Sequence, residues 1–299
     1  FGGDPNSVTI FGQSSGSQNS QQLLRSPLVE KEDLVTRAVC DSGTINHVSS
    51  LMNVDEVREN TLKVAKEVGC RGSSEEIRKC LQAVDGAAIM KAYADNKPID
   101  MSKLPFAPVI EPKDAEDNVI PEDLSLRVSS KPWITSTANG EYILYLRMSK
   151  MVSPSWFENV RNHLTSYLES WIGQHTTDSA VKREGAQMLK NYYFQVMEPM
   201  ENFTRDMAML HADDGFIFPF LFNIEKQKNN GPTWAFRNEY KGELSGVSPW
   251  GEVTCVDDVA GHAETMNYYF NRRSTNPSVS PIETPEDRAV SKRLIKYLV

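Results

Sequence analysis

An α/β fold with a central, mostly parallel sheet flanked by helices is the class this sequence predicts. Three observations lead there. Strand-like, turn and helical signals succeed one another along the chain. The first apolar run, Val8-Thr9-Ile10-Phe11, passes through Gly12-Gln13-Ser14-Ser15-Gly16 directly into a polar stretch able to form a helix. Finally, 299 residues, 39% hydrophobic and 24% charged, suffice for a large core in one domain or two smaller ones.

After the opening strand and helix, Leu34-Val35-Thr36-Arg37-Ala38-Val39-Cys40 is an apolar run stopped by Asp41-Ser42-Gly43 and reads as a second strand. Residues 54–68 and 74–94 carry helical periodicity, the first opening on acidic residues that suit the positive end of a helix dipole. The Pro-containing, mostly acidic segment 97–131 reads as loop with short strands. Residues 154–193 are helical, and the stripe Trp156, Phe157, Tyr167, Trp171, Tyr192 and Tyr193 is expected in the core. Phe216 to Phe222 begins another buried helix, and Thr233 to Tyr240 looks like a strand. Pro285-Glu286-Asp287 starts a last helix running to Val299 with no capping residue after it. No internal repeat or low-complexity tract is present.

Charge and composition exclude several roles. The net charge is −8, and Lys and Arg are scattered rather than gathered into a stripe, so nucleic acid is not an expected partner. No apolar run approaches the roughly 20 residues that cross a bilayer, and the first residues lack a signal-peptide pattern. A start on Phe1 rather than Met suggests a processed or partial chain.

Four cysteines, at 40, 70, 80 and 255, permit three pairings if all are oxidised. Cys70 and Cys80 are the favoured pair because they bracket a short polar loop and a helix start; closing so small a ring contributes about 2–3 kcal/mol. The rival is a pair of reduced thiols in an intracellular protein. Zinc is not expected, since neither cysteine has a second Cys or His two to four residues away. The sequon Asn202-Phe203-Thr204 makes Asn202 a candidate glycosylation site and leans with the disulfide toward an oxidising, secreted location.

Gly-x-Ser-x-Gly between a strand and a helix is the pattern of a nucleophile elbow. A turn this sharp forces the serine into a strained conformation, and glycine is expected two residues before and after it because strand and helix approach closely. Gly12 and Gly16 occupy those places and Ser14 is the candidate nucleophile. Its hydroxyl would stand at a helix N-terminus, with the Ser15 backbone N–H as an oxyanion donor. The pentapeptide alone is weakly specific; its strand and helix context strengthens it. Such a serine needs a base and an orienting acid, in the order Ser, Asp or Glu, His. His47, His163, His175 and His211 read as surface or packing residues. His262 lies in Ala260-Gly261-His262-Ala263-Glu264, a loop of small residues after a strand-like run and before Tyr268-Tyr269-Phe270, which suits a base reaching across to another strand.

Three motifs, the first with the strand that follows it, then resemble one family, the type-B carboxylesterase and cholinesterase branch of the α/β-hydrolases. Phe1 to Gly12 is similar to the lead-in to that family's nucleophile, and Ser14 takes the nucleophile's place. Arg37-Ala38-Val39 with Ser42-Gly43 is similar to its next strand. Pro132-Trp133-Ile134 through Asn139-Gly140-Glu141 resembles the stretch ending in its acidic triad member, with Glu141 nine residues after the proline. His262-Ala263-Glu264 with Tyr268-Tyr269-Phe270 is similar to its histidine motif. The resemblance implies an α/β-hydrolase fold, a Ser14–Glu141–His262 triad, no metal or cofactor, and a Cys70–Cys80 disulfide.

Departures from the family pattern refine the expectation. Gln13 and Ser15 replace a usual Glu and Ala. Gln13 removes a negative charge beside the site, which disfavours cationic choline esters, and it is similar to the residue in insect juvenile hormone esterases. Val259-Ala260-Gly261 departs before the histidine, and Tyr142 stands where glycine usually follows the acid. The family also places a glycine-rich oxyanion segment and several strands ahead of the nucleophile, so the resemblance implies a single type-B carboxylesterase domain over 1–299, incomplete at both ends. The expected function is hydrolysis of hydrophobic esters through an acyl-enzyme; the alternatives are a catalytically silent, neuroligin-like adhesion protein, or an inactive fragment.

Overall fold

The structure, a computed structural model, describes residues 2–47, 50–95, 106–112, 114–149, 152–242, 247–248, 251–252, 259–270 and 284–298. The chain opens with strand β1 (Thr9–Gln13), helix α1 (Ser15–Arg25), a short helix α2 (Pro27–Lys31) and strand β2 (Arg37–Asp41). Three helices follow, α3 (Val54–Glu67), α4 (Ser74–Ala83) and α5 (Gly86–Asp95), before strand β3 (Trp133–Ala138) and helix α6 (Tyr142–Ser149). Helices α7 (Pro154–Asn162), α8 (Leu164–Ile172), α9 (Ser179–Tyr193) and α10 (Met200–Ala212) lead through a π-helical turn, Asp213–Ile217, into α11 (Phe218–Gln227) and strand β4 (Thr233–Asn238). A two-stranded pair, β5 (Val247–Ser248) and β6 (Gly251–Glu252), and helices α12 (Thr265–Phe270) and α13 (Pro285–Lys296) complete the described elements.

The main sheet has four parallel strands in the order β1-β2-β3-β4, with Thr9 opposite Arg37, Ala38 opposite Trp133 and Trp133 opposite Thr233. Because every neighbour is parallel, each connection crosses over through helix, and all four strands end at the same edge. Sites in open parallel sheets form outside that carboxyl edge. The turns that leave it here begin at Ser14, Ser42, Asn139 and Glu239.

Burial explains the strands. In β2 the residues Ala38, Val39, Cys40 and Asp41 are all buried, as expected of a parallel strand covered on both faces. One face carries Leu24, Val29, Val35, Ala38, Cys40 and Trp133 against α1 and α2. On the other, Phe11, Phe236 and Tyr240 pack against Tyr268, Tyr269 and Leu294 of α12 and α13. A separate helical core joins Phe157, Leu164, Leu168, Ala186, Phe203 and Met207 across α7 to α10.

Several sequence expectations change in the structure. Residues 74–94 form two helices: Val84 is extended and Asp85 accepts the Ala87 N–H, so the polar side chain starts a new helix where periodicity suggested continuity. Residues 154–193 form three, broken at His163 and Gly173. In the aromatic stripe Phe157 and Trp171 are buried, but Tyr192 is 71% exposed, because it falls on the outer face of α9. The helix beginning near Phe216 is buried on one side only: Phe216 and Phe220 face inward, while Phe218 and Leu221 are exposed. Strand β3 adds to the expected elements; its Trp133, Ile134, Thr135 and Thr137 are β-forming residues. The described part of 97–131 is irregular apart from a single turn, Leu124–Leu126, and a bridge from Val109 to Met52. Of the final helix, Val299 lies outside the described residues.

Cys70 and Cys80 are disulfide-bonded with Cα atoms 5.6 Å apart. The bridge ties the end of α3 to α4, whose start is fixed by a capping box between Ser73 and Glu76. Cys40 is a buried free thiol, and Cys255 lies outside the described residues.

Candidate active site

Ser14 stands between β1 and α1 with φ 58° and ψ −123°, a strained positive-φ conformation for a residue with a side chain. Its N–H donates to the Asp41 carbonyl at 2.9 Å, and its own carbonyl accepts the Ser17 N–H at 2.9 Å, so strand β2 and the first turn of α1 hold the elbow from both sides. A Cβ on Gly12 would lie 2.0 Å from the Gly16 carbonyl oxygen, which accounts for glycine before the serine. The expectation for Gly16 is corrected: a Cβ there would meet nothing within 4 Å. A second close approach comes from Gly43, whose added Cβ would be 2.3 Å from the Ser14 carbonyl oxygen.

These contacts predict a contrast. Gly12→Ala should lower stability by about 3 kcal/mol, since backbone atoms must move. Gly16→Ala, in a helix and unobstructed, should be neutral or stabilise by up to about 1 kcal/mol. Urea unfolding midpoints of the two variants check this.

Glu141, next to the end of β3, is 1% exposed. Its Oε1 accepts the Ala138 N–H at 2.8 Å and the Thr137 hydroxyl at 3.1 Å, and its Oε2 meets His262 Nδ1 at 2.6 Å. Burial alone would raise this carboxyl, but the charge and hydrogen bond of His262 and the Ala138 N–H outweigh it and hold its pKa below the usual value. The two loops are stitched together by Gly140 N–H to the Ala260 carbonyl and Ala260 N–H to Asn139 Oδ1, each 2.8 Å.

His262 is itself buried, and its Nε2 lies 3.1 Å from Gln13 Nε2. With Nδ1 donating to the carboxylate, Nε2 is the acceptor, here of the Gln13 amide. The residue immediately before Ser14 therefore touches the imidazole nitrogen that a general base would use. Phe216 covers the ring with centroids 4.8 Å apart, and burial together with the nearby His262 charge pushes His47 down to about 4.

The structure thus joins Glu141 to His262 and brings Gln13, neighbour of Ser14, to the same imidazole. Ser15 is the first residue of α1, where backbone N–H groups have no intrahelical acceptor. Asn202 is elsewhere, exposed at the start of α10. Residues 253–258, part of the strand-like run expected before His262, lie outside the described residues. Among the described residues no group of His, Cys, Asp and Glu is suited to a metal. Asp41 at the site and Phe216 on the imidazole are not expected from the sequence. Asp41 is buried, its Oδ1 accepts the Ser136 hydroxyl at 2.5 Å, and burial pushes its pKa up to about 6. Its signal was only an acidic residue at the end of a buried strand.

The model of the carboxylesterase family matches residues 1–299. Esterase E4 of Myzus persicae is 26% identical over 262 residues, which cover 83% of this chain and 45% of that protein. Bile salt-activated lipase of Mus musculus is 24% identical over 315 residues, covering 99% of this chain and 48% of the lipase. Cholinesterase of Mus musculus is 34% identical over 113 residues, 37% of this chain and 18% of that protein. The chain spans about half the length of the first two relatives.

Proposed function

Because the chain belongs to the carboxylesterase family, we propose that it is a serine carboxylic-ester hydrolase in which Ser14, Glu141 and His262 act as nucleophile, orienting acid and base. The observation that carries this reading is the 2.6 Å contact of His262 Nδ1 with the buried Glu141, with Nε2 turned to the residue beside Ser14. His262 Nε2 takes the Ser14 proton as the hydroxyl oxygen attacks the ester carbonyl, and the Ser15 N–H donates to the developing oxyanion. The alcohol leaves with the proton from His262. Water, deprotonated by the same nitrogen, then releases the acid and restores Ser14. Glu141 keeps the proton on Nδ1 and stabilises the imidazolium without itself being protonated.

The substrates proposed are hydrophobic esters, of which a juvenile hormone-like methyl ester is one. The uncharged Gln13 supports a neutral substrate over a cationic one, and the Phe216 ring against His262 supports an apolar one. The disulfide and the exposed Asn202 support a secreted, glycosylated protein, and no described helix is long and apolar enough to cross a membrane. The intact protein is expected to turn over p-nitrophenyl esters and to be labelled by an organophosphate. Absence of both, the behaviour of a silent adhesion protein, would sink the reading.

A further inference from the structure

We propose that Asp41 is a second carboxyl of the site, a positioning residue that acts through His262 and Glu141 by placing an ionisable charge beside them. The inference rests on the esterase reading above for its catalytic consequence. Asp41 ends β2 one residue before Ser42, and its backbone carbonyl receives the Ser14 N–H, so its main chain is part of the elbow. It stands opposite Gln13 of β1, whose amide lies 3.1 Å from His262 Nε2, so the pairing of the two strands brings Asp41 to the same end of the sheet as the imidazole. Its side chain is fully buried. Oδ1 is held by the Ser136 hydroxyl from β3, and Oδ2 has no protein donor among the described residues. A carboxyl is costly in such a place unless it stays neutral or finds a positive charge.

The groups that face it decide which. Burial, and Glu141 after β3, disfavour its ionised form; the Ser136 hydroxyl and His262 favour it. Cys40 on its own strand and Tyr269 on α12 also sense its charge, and both are held neutral by burial. His47, packed against Phe216, is kept neutral by burial and by the His262 charge. The one positive charge the reaction creates among these groups is the His262 imidazolium. An ionised Asp41 would stabilise it alongside Glu141, while a protonated Asp41 leaves Glu141 alone. The raised pKa means that ionisation costs stability as pH rises from the ordinary carboxylate range to about 6. Asp41→Asn removes that cost and keeps an acceptor for Ser136, so this variant should fold.

The experiment measures kcat/KM on a p-nitrophenyl ester across pH, and urea midpoints across the same range, for the intact protein, Asp41→Asn and Ser136→Ala. Asp41→Asn should lower kcat/KM roughly three- to tenfold above about pH 6, where Asp41 is ionised, and change it little below. The same variant should gain stability relative to the unaltered protein as pH rises through that range. Ser136→Ala keeps the carboxyl but loses its donor, and should move the Asp41 step to higher pH. A kcat/KM ratio that does not change with pH in folded, active variants overturns the proposal. If Asp41→Asn does not fold, Ser136→Ala decides alone. A pH step in stability that Asp41→Asn abolishes, in a protein without ester turnover, supports the buried ionisable carboxyl and rejects the esterase reading instead.

Discussion

Replacing Ser14 with Ala in the intact protein is expected to lower kcat on a p-nitrophenyl ester by roughly 10⁴–10⁶-fold and to abolish organophosphate labelling. The size follows from the loss of the only atom that forms the acyl bond in the proposed mechanism. Stability should change little. Ser14 makes no side-chain capping bond to α1, and both Ser and Ala carry a Cβ at φ 58°, so the strain is the same in each. A small change in KM beside a collapse in kcat would identify a lost chemical step. A variant that retains ordinary turnover or label would show the nucleophile to be elsewhere.

Glu141→Gln should lower kcat by roughly 10⁴-fold. The amide oxygen can keep the Ala138 N–H, but an NH₂ placed against His262 Nδ1 turns that nitrogen into an acceptor. The proton then sits on Nε2, which can no longer take one from Ser14. The variant should also change the acid dependence of folding. A carboxyl whose folded pKa is lowered contributes stability above its unfolded pKa, and that contribution is lost as pH falls through the folded value. Glutamine does not titrate, so the part of the acid-unfolding profile due to Glu141 should disappear. Steady-state kinetics, and urea midpoints measured from about neutral pH down through the ordinary carboxylate range, test both consequences. An active Glu141→Gln enzyme would remove this residue from the proposed triad.

Much of the fold is legible in the sequence because local signals and burial agree. The run before Asp41 is apolar because β2 is covered on both faces, and the glycine before Ser14 is needed because helix and strand backbones nearly touch. Periodicity overruns the breaks at Val84, His163 and Gly173, since a short interruption barely disturbs a helical pattern while the caps that end a helix depend on individual side chains. Tyr192 and Phe218 read as core residues for a related reason: hydrophobicity states a preference for burial, and only the neighbouring elements decide which face of a helix is covered.

Residue type and order along the chain determined the α/β class, the elbow around Ser14, the favoured pairing of Cys70 with Cys80 and His262 as a candidate base, while Glu141 became a candidate only through the resemblance to the esterase family. Only the tertiary structure decided that Gln13 meets His262 Nε2, that Phe216 lies on its ring, and that Asp41 is buried opposite Gln13. Strand, turn and cap signals arise within a few residues of one another. The contact of Gln13 with His262 spans 249 residues and exists only because parallel strands bring their carboxyl ends to one edge.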